Sequence, residues 1–112
     1  MTLVDTSVWV DFFKGVVRAQ KLIALIEMNE VLLHPLVHGE LLLGGLSARN
    51  AELLDSVHRC DNPDYREVYN FIAEKDLREK GIGWVDAVIL YSATSLGISI
   101  FTFDEALAGY KL

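Results

Sequence analysis

Cysteine is nearly absent from this chain of 112 residues, which contains only Cys60. A single thiol cannot form an internal disulfide, and it has no second cysteine with which to share a metal-ligand motif. The composition therefore excludes a disulfide-stapled fold and a zinc–thiolate site. We expect Cys60 to be an ordinary, partly buried thiol.

Long apolar runs are also missing. No segment reaches the roughly 18 apolar residues that a membrane-spanning helix requires. The first residues do not resemble a signal peptide, because Asp5 interrupts them where an apolar stretch should continue. We therefore expect a cytoplasmic protein with no membrane association.

Positive charge is scarce. The chain has 16 Asp and Glu against 10 Lys and Arg, which gives a formal net charge of −6. This balance argues against nucleic-acid binding through a broad basic face. If the substrate is nucleic acid, another source of positive charge must neutralise its phosphates. The alternative is that the acids are scattered over solvated helix faces.

Apolar residues, in contrast, make up 52% of the chain. The length fits one domain over residues 1–112, with a single core. The apolar fraction is high for a small soluble domain, so we expect a partner to cover part of the surface. A homodimer is the simplest such arrangement.

Three short apolar segments predict β-strands, at residues 1–4, 30–34 and 98–101. Helical patterns lie between and around them: 9–13, 16–28, 35 to Gly44-Gly45, a stretch opened by Ser47 or Asn50 and running through Val57, a longer helix after Asn62-Pro63-Asp64, 84 to Gly97, and a short amphipathic tail from Glu105 to Leu112. Strands separated by helices favour an α/β fold with a parallel sheet covered on both faces. Such sheets carry their functional groups at the carboxyl ends of the strands.

Four acids interrupt apolar contexts, namely Asp5, Glu40, Asp86 and Asp104. Each has an ordinary alternative role: Asp5 and Asp86 could cap helices, Glu40 could face solvent, and Asp104 could belong to a turn. Two carboxylates about 4 Å apart repel by roughly 4 kcal/mol at an effective dielectric constant of 20. If the four converge, a cation is needed to hold them together.

Oxygen ligands without cysteine or a well-placed histidine select hard ions, which indicates Mg²⁺ or Mn²⁺. These ions bind phosphates and activate water for phosphodiester hydrolysis. A bound ion would also supply locally the positive charge that the composition lacks.

The segments that carry these acids are L-V-D-T-S-V-W, H-P-L-V-H-G-E-L-L-L-G, G-I-G-W-V-D-A and F-T-F-D-E-A-L. In this order they resemble the PIN-domain ribonucleases and, within them, the VapC-type toxins of type II toxin–antitoxin systems. The resemblance covers almost the whole chain. It implies a PIN-like three-layer α/β/α sandwich with a small central parallel sheet, and a Mg²⁺- or Mn²⁺-dependent endoribonuclease that dimerises and is neutralised by a cognate antitoxin.

The same resemblance assigns roles to residues. It implies that Asp5, Glu40, Asp86 and Asp104 form the catalytic quartet, with Asp5, Asp86 and Asp104 as metal ligands and Glu40 completing the site or orienting water. Thr6 or Ser7, together with Thr102, would support the acids. Relatives often carry a second acid two positions beyond Asp104 and continue further, whereas this sequence has Ala106 and ends soon after. A weak or absent second metal site is therefore one expectation.

Other polar and aromatic residues have simpler explanations. His34 and His38 lie near Glu40, but Pro35 separates them and no H-E-x-x-H pattern exists, so a zinc site is not expected. Trp9 and Trp84 are expected in the core or as dimer anchors, with base stacking as the alternative. A set of basic residues could contact RNA phosphates but is expected to be solvated on helix surfaces: Lys14, Arg18, Lys21 and Arg49.

Two rival functions remain open. A phosphatase with a nucleophilic Asp5 would need an acid two residues later, where the chain has Ser7. A PIN-like binding module could hold an antitoxin or a structural cation without turnover. Metal-dependent RNA cleavage, abolished by Asp5→Asn, would separate the enzyme from the module. Nothing in the sequence identifies the RNA target, since specificity would depend on RNA shape and loops.

Overall fold

Four short strands form one parallel sheet at the centre of the protein, of which the computed structural model describes residues 1–110. In chain order the strands are β1 (Thr2–Val4), β2 (Val31–Leu33), β3 (His58–Arg59) and β4 (Ser99–Phe101). They are arranged β3-β2-β1-β4, and every neighbouring pair is parallel. The carboxyl ends of all four strands therefore lie along one edge of the sheet.

Helices lie between the strands and after β4: α1 (Thr6–Phe13), a 3₁₀ turn (Val17–Ala19), α2 (Lys21–Glu27), α3 (Pro35–Gly44), α4 (Ala48–Ser56), α5 (Tyr65–Glu74), α6 (Trp84–Leu96) and α7 (Glu105–Ala108). Their ends follow local chemistry. Ser47 and Asp64 cap α4 and α5 through side-chain hydrogen bonds, and Pro35 occupies the first turn of α3. Gly97 ends α6 in the left-handed conformation, with φ of 68°.

The core covers both faces of the sheet. Leu3 and Val4 are consecutive in β1, so their side chains point to opposite faces, and both are completely buried. One apolar cluster surrounds β1 and β2, and a second lies where α5, α6 and α7 meet, around Phe71, Leu90 and Leu107. This confirms the predicted three-layer α/β/α sandwich.

The two tryptophans differ in environment. Trp9 is 0% exposed and packs against Phe12 and Phe13, which confirms a core position. Trp84 is 42% exposed at the start of α6 and contacts Tyr65 and Tyr69. None of the helices within residues 1–110 has the length and apolar character needed to cross a membrane.

The prediction of one helix over residues 16–28 was wrong. The chain is extended at Val16, makes the 3₁₀ turn at 17–19, and only then begins α2. Ala19 and Leu22 are fully buried, whereas Val17 is largely exposed. The apolar spacing gave the buried face only in part, since Val16 and Ile23 are exposed, and it did not reveal the break before α2.

The sequence also failed to predict β3. The apolar pattern predicts residue 57 in the preceding helix, but α4 ends at Ser56 and Val57 is extended. His58 and Arg59 pair with Leu32 and Leu33 of β2, and both are exposed. A two-residue edge strand with polar side chains has no apolar pattern, so only its pairing with β2 defines it. Of the predicted C-terminal tail, residues 105–108 form α7, while Lys111 and Leu112 lie outside the described residues.

Candidate active site

The four acids of the predicted quartet lie at the carboxyl edge of the sheet. Asp5 directly follows β1, and Asp104 follows the neighbouring strand β4. The backbone N–H of Asp5 donates to the carbonyl of Phe101 at 2.9 Å, which ties the two strand ends together. Glu40 lies on α3, and Asp86 lies in the first turn of α6.

Asp5 is a buried carboxylate held by two hydroxyls. It is 5% exposed, and its Oδ2 accepts hydrogen bonds from Ser7 Oγ at 2.9 Å and Thr102 Oγ1 at 2.7 Å. Although Asp5 occupies the N-cap position of α1, its side chain makes no capping hydrogen bond. The helix-cap alternative for Asp5 therefore does not explain its carboxylate. Because both hydroxyls bind Oδ2, the second oxygen is left for another ligand.

Thr102 also organises the segment that leads to Asp104. Its Oγ1 accepts a hydrogen bond from the backbone N–H of Asp104 at 3.0 Å, while the N–H of Phe103 donates to Ser7 Oγ at 3.0 Å. Asp104 Oδ1 accepts from the N–H of Leu107 at 3.0 Å and so caps α7. Asp104 therefore has a local structural role, as the alternative from the sequence suggested. This role uses only Oδ1 of the carboxylate.

Glu40 is connected to the same region by Thr6. The Thr6 hydroxyl donates to Glu40 Oε1 at 2.6 Å and links the start of α1 to the middle of α3. Glu40 is otherwise exposed. The sequence left open whether Thr6 or Ser7 supports the acids. In the structure each hydroxyl serves a different carboxylate, with Ser7 on Asp5 and Thr6 on Glu40.

The pKa of Asp86 depends on burial and on the charges of the other three acids. Burial raises the pKa of Asp86 above its ordinary value, and repulsion from Asp5, Asp104 and Glu40 raises it further. The N–H of Gly83 lowers it, although this hydrogen bond to Asp86 Oδ2 is long, at 3.4 Å. Asp86 therefore has a weak capping role in α6 and also belongs to a cluster of like charges.

The donor chemistry of this cluster suits a hard divalent cation, because all of its ligands would be carboxylate oxygens. Within residues 1–110, no three Asp, Glu, His or Cys side chains lie close enough together to hold an ion as they stand. Two of the carboxylates make local hydrogen bonds instead, Asp86 with the N–H of Gly83 and Asp104 with the N–H of Leu107. Holding an ion would require the side chains of Asp86 and Asp104 to give up these contacts and turn toward Asp5.

The two histidines of α3 do not form a metal site. His34 is completely buried, its Nδ1 accepts from the N–H of Leu36, and its Nε2 bonds to Ser92 Oγ at 3.1 Å. Burial lowers the pKa of His34 from 6.5 to about 4, so the ring is neutral. His38 instead contacts Arg59. Both rings thus have hydrogen-bond partners within the protein.

A solved structure shares this fold. The crystal structure of PAE2754 from Pyrobaculum aerophilum superimposes with a TM-score of 0.70 over 96% of this chain and 82% of that chain, at 19% sequence identity. At this identity the similarity concerns the fold alone.

Sequence comparison gives nearer relatives. The chain is 33% identical over 110 residues to Ribonuclease VapC32 of Mycobacterium tuberculosis, in strains CDC 1551 and H37Rv, covering 96% of this chain and 87% of the relative. The family model of the PIN domain matches residues 2–111, a range that contains all four acids. The chain therefore belongs to the PIN-domain family and, within it, to the VapC type.

Proposed function

We propose that this protein is a Mg²⁺- or Mn²⁺-dependent endoribonuclease, the toxin of a toxin–antitoxin pair. The observation that carries the proposal is the arrangement of the acids at one edge of the sheet: Thr102 Oγ1 bonds both to Oδ2 of Asp5 and to the N–H of Asp104, and Thr6 links Glu40 to the start of α1. The charges of these three acids in turn raise the pKa of Asp86. Such crowding is unfavourable without a cation and useful with one. The relationship to a ribonuclease of the VapC type supports RNA as the substrate.

Asp5, Asp86 and Asp104 would hold the ion. When bound, a divalent cation of this kind stabilises the negative charge of the phosphodiester transition state and lowers the pKa of water. Asp5 suits this role because Ser7 and Thr102 restrain one carboxylate oxygen and leave the other available. Asp86 and Asp104 would give up or share their local hydrogen bonds.

Glu40 would orient the attacking water. The Thr6 hydroxyl engages Oε1 of Glu40, so Oε2 can accept a proton or a hydrogen bond from water. Its exposure is consistent with a residue that meets solvent and substrate rather than one that is locked inside the site.

The partner of the toxin would be an antitoxin that fits both features of this surface. An Arg or Lys side chain would neutralise the acidic pocket, and an apolar helix would cover exposed apolar side chains. Leu42 and Leu43, which are 58% and 91% exposed on the helix that carries Glu40, are candidates for such a contact. Exposed apolar surface also supports a homodimer, and we propose that the protein acts in the cytoplasm. A structure of the complex with the antitoxin far from all four acids would exclude the pocket-blocking contact.

The test is RNA cleavage by the purified protein with Mn²⁺ and with EDTA. We expect cleavage only with the metal, and loss of cleavage in Asp5→Asn and Asp86→Asn. Asp64→Asn is a matched control, because Asp64 caps α5 through the N–H of Arg66 and lies outside the quartet. Cleavage in EDTA, or full activity of Asp86→Asn, would refute the proposal.

The second candidate is a PIN-like module that binds an antitoxin or a structural cation without turnover. Two observations favour it. Asp104 caps α7, and within residues 1–110 no three acids lie close enough together to hold an ion. Under this alternative, Mn²⁺ raises the melting temperature of the wild type, but RNA remains intact at every metal concentration.

A further inference from the structure

Arg18 contacts the segment that leads to Asp104, although the two residues lie in distant parts of the sequence. It belongs to the 3₁₀ turn at 17–19, and its guanidinium carbon lies 4.1 Å from the ring centroid of Phe103. Phe103 is the residue between Thr102 and Asp104. A positive charge therefore stacks on the segment that carries one of the proposed metal ligands.

The guanidinium is held from two sides. Arg18 Nε donates to Asp11 Oδ2 at 2.8 Å, and Asp11 lies on α1, the helix that follows Asp5. Phe103 has contacts of its own: its ring centroid lies 5.4 Å from that of Phe101 in an edge-to-face arrangement, and its backbone N–H donates to Ser7 Oγ. Despite these restraints, the side chain of Arg18 remains 60% exposed, against 19% for Asp11.

This geometry differs from the other ion pairs of the described chain. Arg59 pairs with Asp55 and Arg78 pairs with Asp76, in each case within one short local segment, and Arg59 also bonds to His38 of α3. Such surface pairs contribute little to stability. The Arg18–Asp11 pair instead joins the 3₁₀ turn to α1 and adds a stacking contact with a third segment.

The free edge of the guanidinium has the chemistry to bind phosphate. The hydrogen bond to Asp11 uses Nε, so the two Nη groups can offer a planar pair of donors to solvent. Arginine binds phosphate oxygens in a bidentate manner and, being weakly hydrated, also stacks well on aromatic rings. Because stacking and the ion pair already restrict the side chain, less conformational entropy is lost when a phosphate binds.

We propose that Arg18 binds a phosphate of the RNA backbone on the side of the site where β4 ends, so that the chain supplies a positive charge next to the segment that carries Asp104. The proposal rests on the ribonuclease function proposed above. It gives this protein, with a net charge of −6, a way to hold the RNA backbone without a broad basic face. Arg18 would thus be a substrate-binding residue and not a metal ligand.

The test measures RNA binding and its salt dependence. The probe is a fluorescein-labelled single-stranded oligoribonucleotide of mixed sequence, titrated with protein by fluorescence anisotropy at several KCl concentrations, with Ca²⁺ in place of Mn²⁺ to limit cleavage. Arg18→Gln removes the charge and keeps a polar side chain. Arg59→Gln is the matched control, because Arg59 also pairs with an aspartate but lies on the opposite edge strand of the sheet.

We expect Arg18→Gln to weaken binding about tenfold, as for the loss of a charge-assisted hydrogen bond. The slope of log K against log [KCl] should become shallower by about 0.7, which corresponds to one phosphate contact on a single strand. Arg18→Lys should keep the wild-type slope, because its charge remains, but bind more weakly than the wild type. Arg59→Gln should change neither quantity.

A purely structural role for Arg18 would lower the melting temperature of Arg18→Gln without changing the salt slope, and that result would overturn the proposal. Unchanged RNA binding combined with weaker binding of an acidic protein partner would overturn it as well. If the wild type cleaves RNA while Arg18→Gln cleaves and binds equally well, only the proposal for Arg18 fails. If the wild type neither binds nor cleaves RNA, the ribonuclease function fails and the role of Arg18 fails with it.

Discussion

Thr102 and Asp5 lie 97 positions apart in sequence, yet the threonine hydroxyl donates a 2.7 Å hydrogen bond to Oδ2 of the aspartate. The same hydroxyl accepts the backbone N–H of Asp104. One side chain therefore fixes the relative positions of two proposed metal ligands at the ends of neighbouring strands.

Replacing Thr102 with valine should remove this link while keeping the shape of the side chain. We expect a loss of about 1–2 kcal/mol in the free energy of unfolding, because a carboxylate and a backbone N–H lose their shared partner. The rate of RNA cleavage should fall by more than the loss of folded protein explains, since Asp5 and Asp104 are no longer held together. The measurements are urea unfolding and a cleavage assay at fixed protein concentration.

Thr94→Val is the control for that substitution. The hydroxyl of Thr94 bonds to the carbonyl of Leu90 within α6, an interaction that contributes little to helix stability. We expect a change below about 0.5 kcal/mol and normal cleavage. Equal effects of the two substitutions would show that the Thr102 hydroxyl has no special role.

Asp86→Asn should have opposite effects on stability with and without metal. In EDTA near neutral pH, the variant should melt at a higher temperature than the wild type, because it relieves burial of a charge and repulsion from three acids. The pKa of Asp86 is raised in the folded protein, so its ionisation destabilises the fold as pH rises through that pKa. The difference between the two proteins should therefore shrink as pH falls and the wild-type carboxyl becomes protonated.

Mn²⁺ should reverse this order. A ligand that binds only the folded protein stabilises it by about 2.7 kcal/mol at a hundredfold excess over its Kd, and the variant should gain much less. Melting curves of both proteins at fixed concentration measure the effect. Equal shifts with Mn²⁺ in the wild type and the variant would mean that Asp86 does not bind the ion.

Two substitutions at Asp104 should separate its capping role from its proposed catalytic role. Asn caps a helix about as well as Asp, so Asp104→Asn should unfold with nearly the wild-type free energy and lose cleavage. Asp104→Ala should also lose about 1 kcal/mol of stability, because the N–H of Leu107 loses its acceptor. Full cleavage by Asp104→Asn would mean that Asp104 caps α7 and has no catalytic role.

Buried His34 should make the fold sensitive to acid. Its pKa is about 4 in the folded protein and 6.5 ordinarily, so the unfolded chain takes up a proton at a pH where the folded chain does not. Stability from this residue is present above pH 6.5 and decreases as pH falls toward 4, by on the order of 3 kcal/mol. The check is urea unfolding across this pH range.

His34→Asn should flatten that pH dependence, since Asn can keep the N-cap of α3 but does not titrate. The exposed His58 offers a control, and His58→Asn should keep the wild-type slope. If the free energy of unfolding of His34→Asn decreases with falling pH as steeply as that of the wild type, carboxylates and not His34 determine the loss of stability in acid.

Much of this protein could be predicted from its sequence, because the informative patterns are local. Apolar runs ended by Asp5 and Thr102 define the strands that flank the site, and Pro35, Asp64 and Gly97 mark helix boundaries through backbone chemistry that acts within a few residues. The four acids stood out for the same reason, since each interrupts an apolar segment. These patterns led to the α/β sandwich and to the quartet as a hypothesis.

The tertiary structure decided the rest, because it depends on contacts between distant segments. The edge strand β3 has no apolar pattern and exists through its pairing with β2. The hydrogen bond of Thr6 to Glu40 depends on how α1 packs against α3, and the hydrogen bond that Ser7 accepts from the N–H of Phe103 depends on how α1 meets the end of β4. Arg18 stacks on Phe103 because the fold brings the 3₁₀ turn at 17–19 against the segment that follows β4. Sequence determined which residues could do chemistry, whereas folding determined which of them meet, since contacts across the sheet have no fixed spacing along the chain.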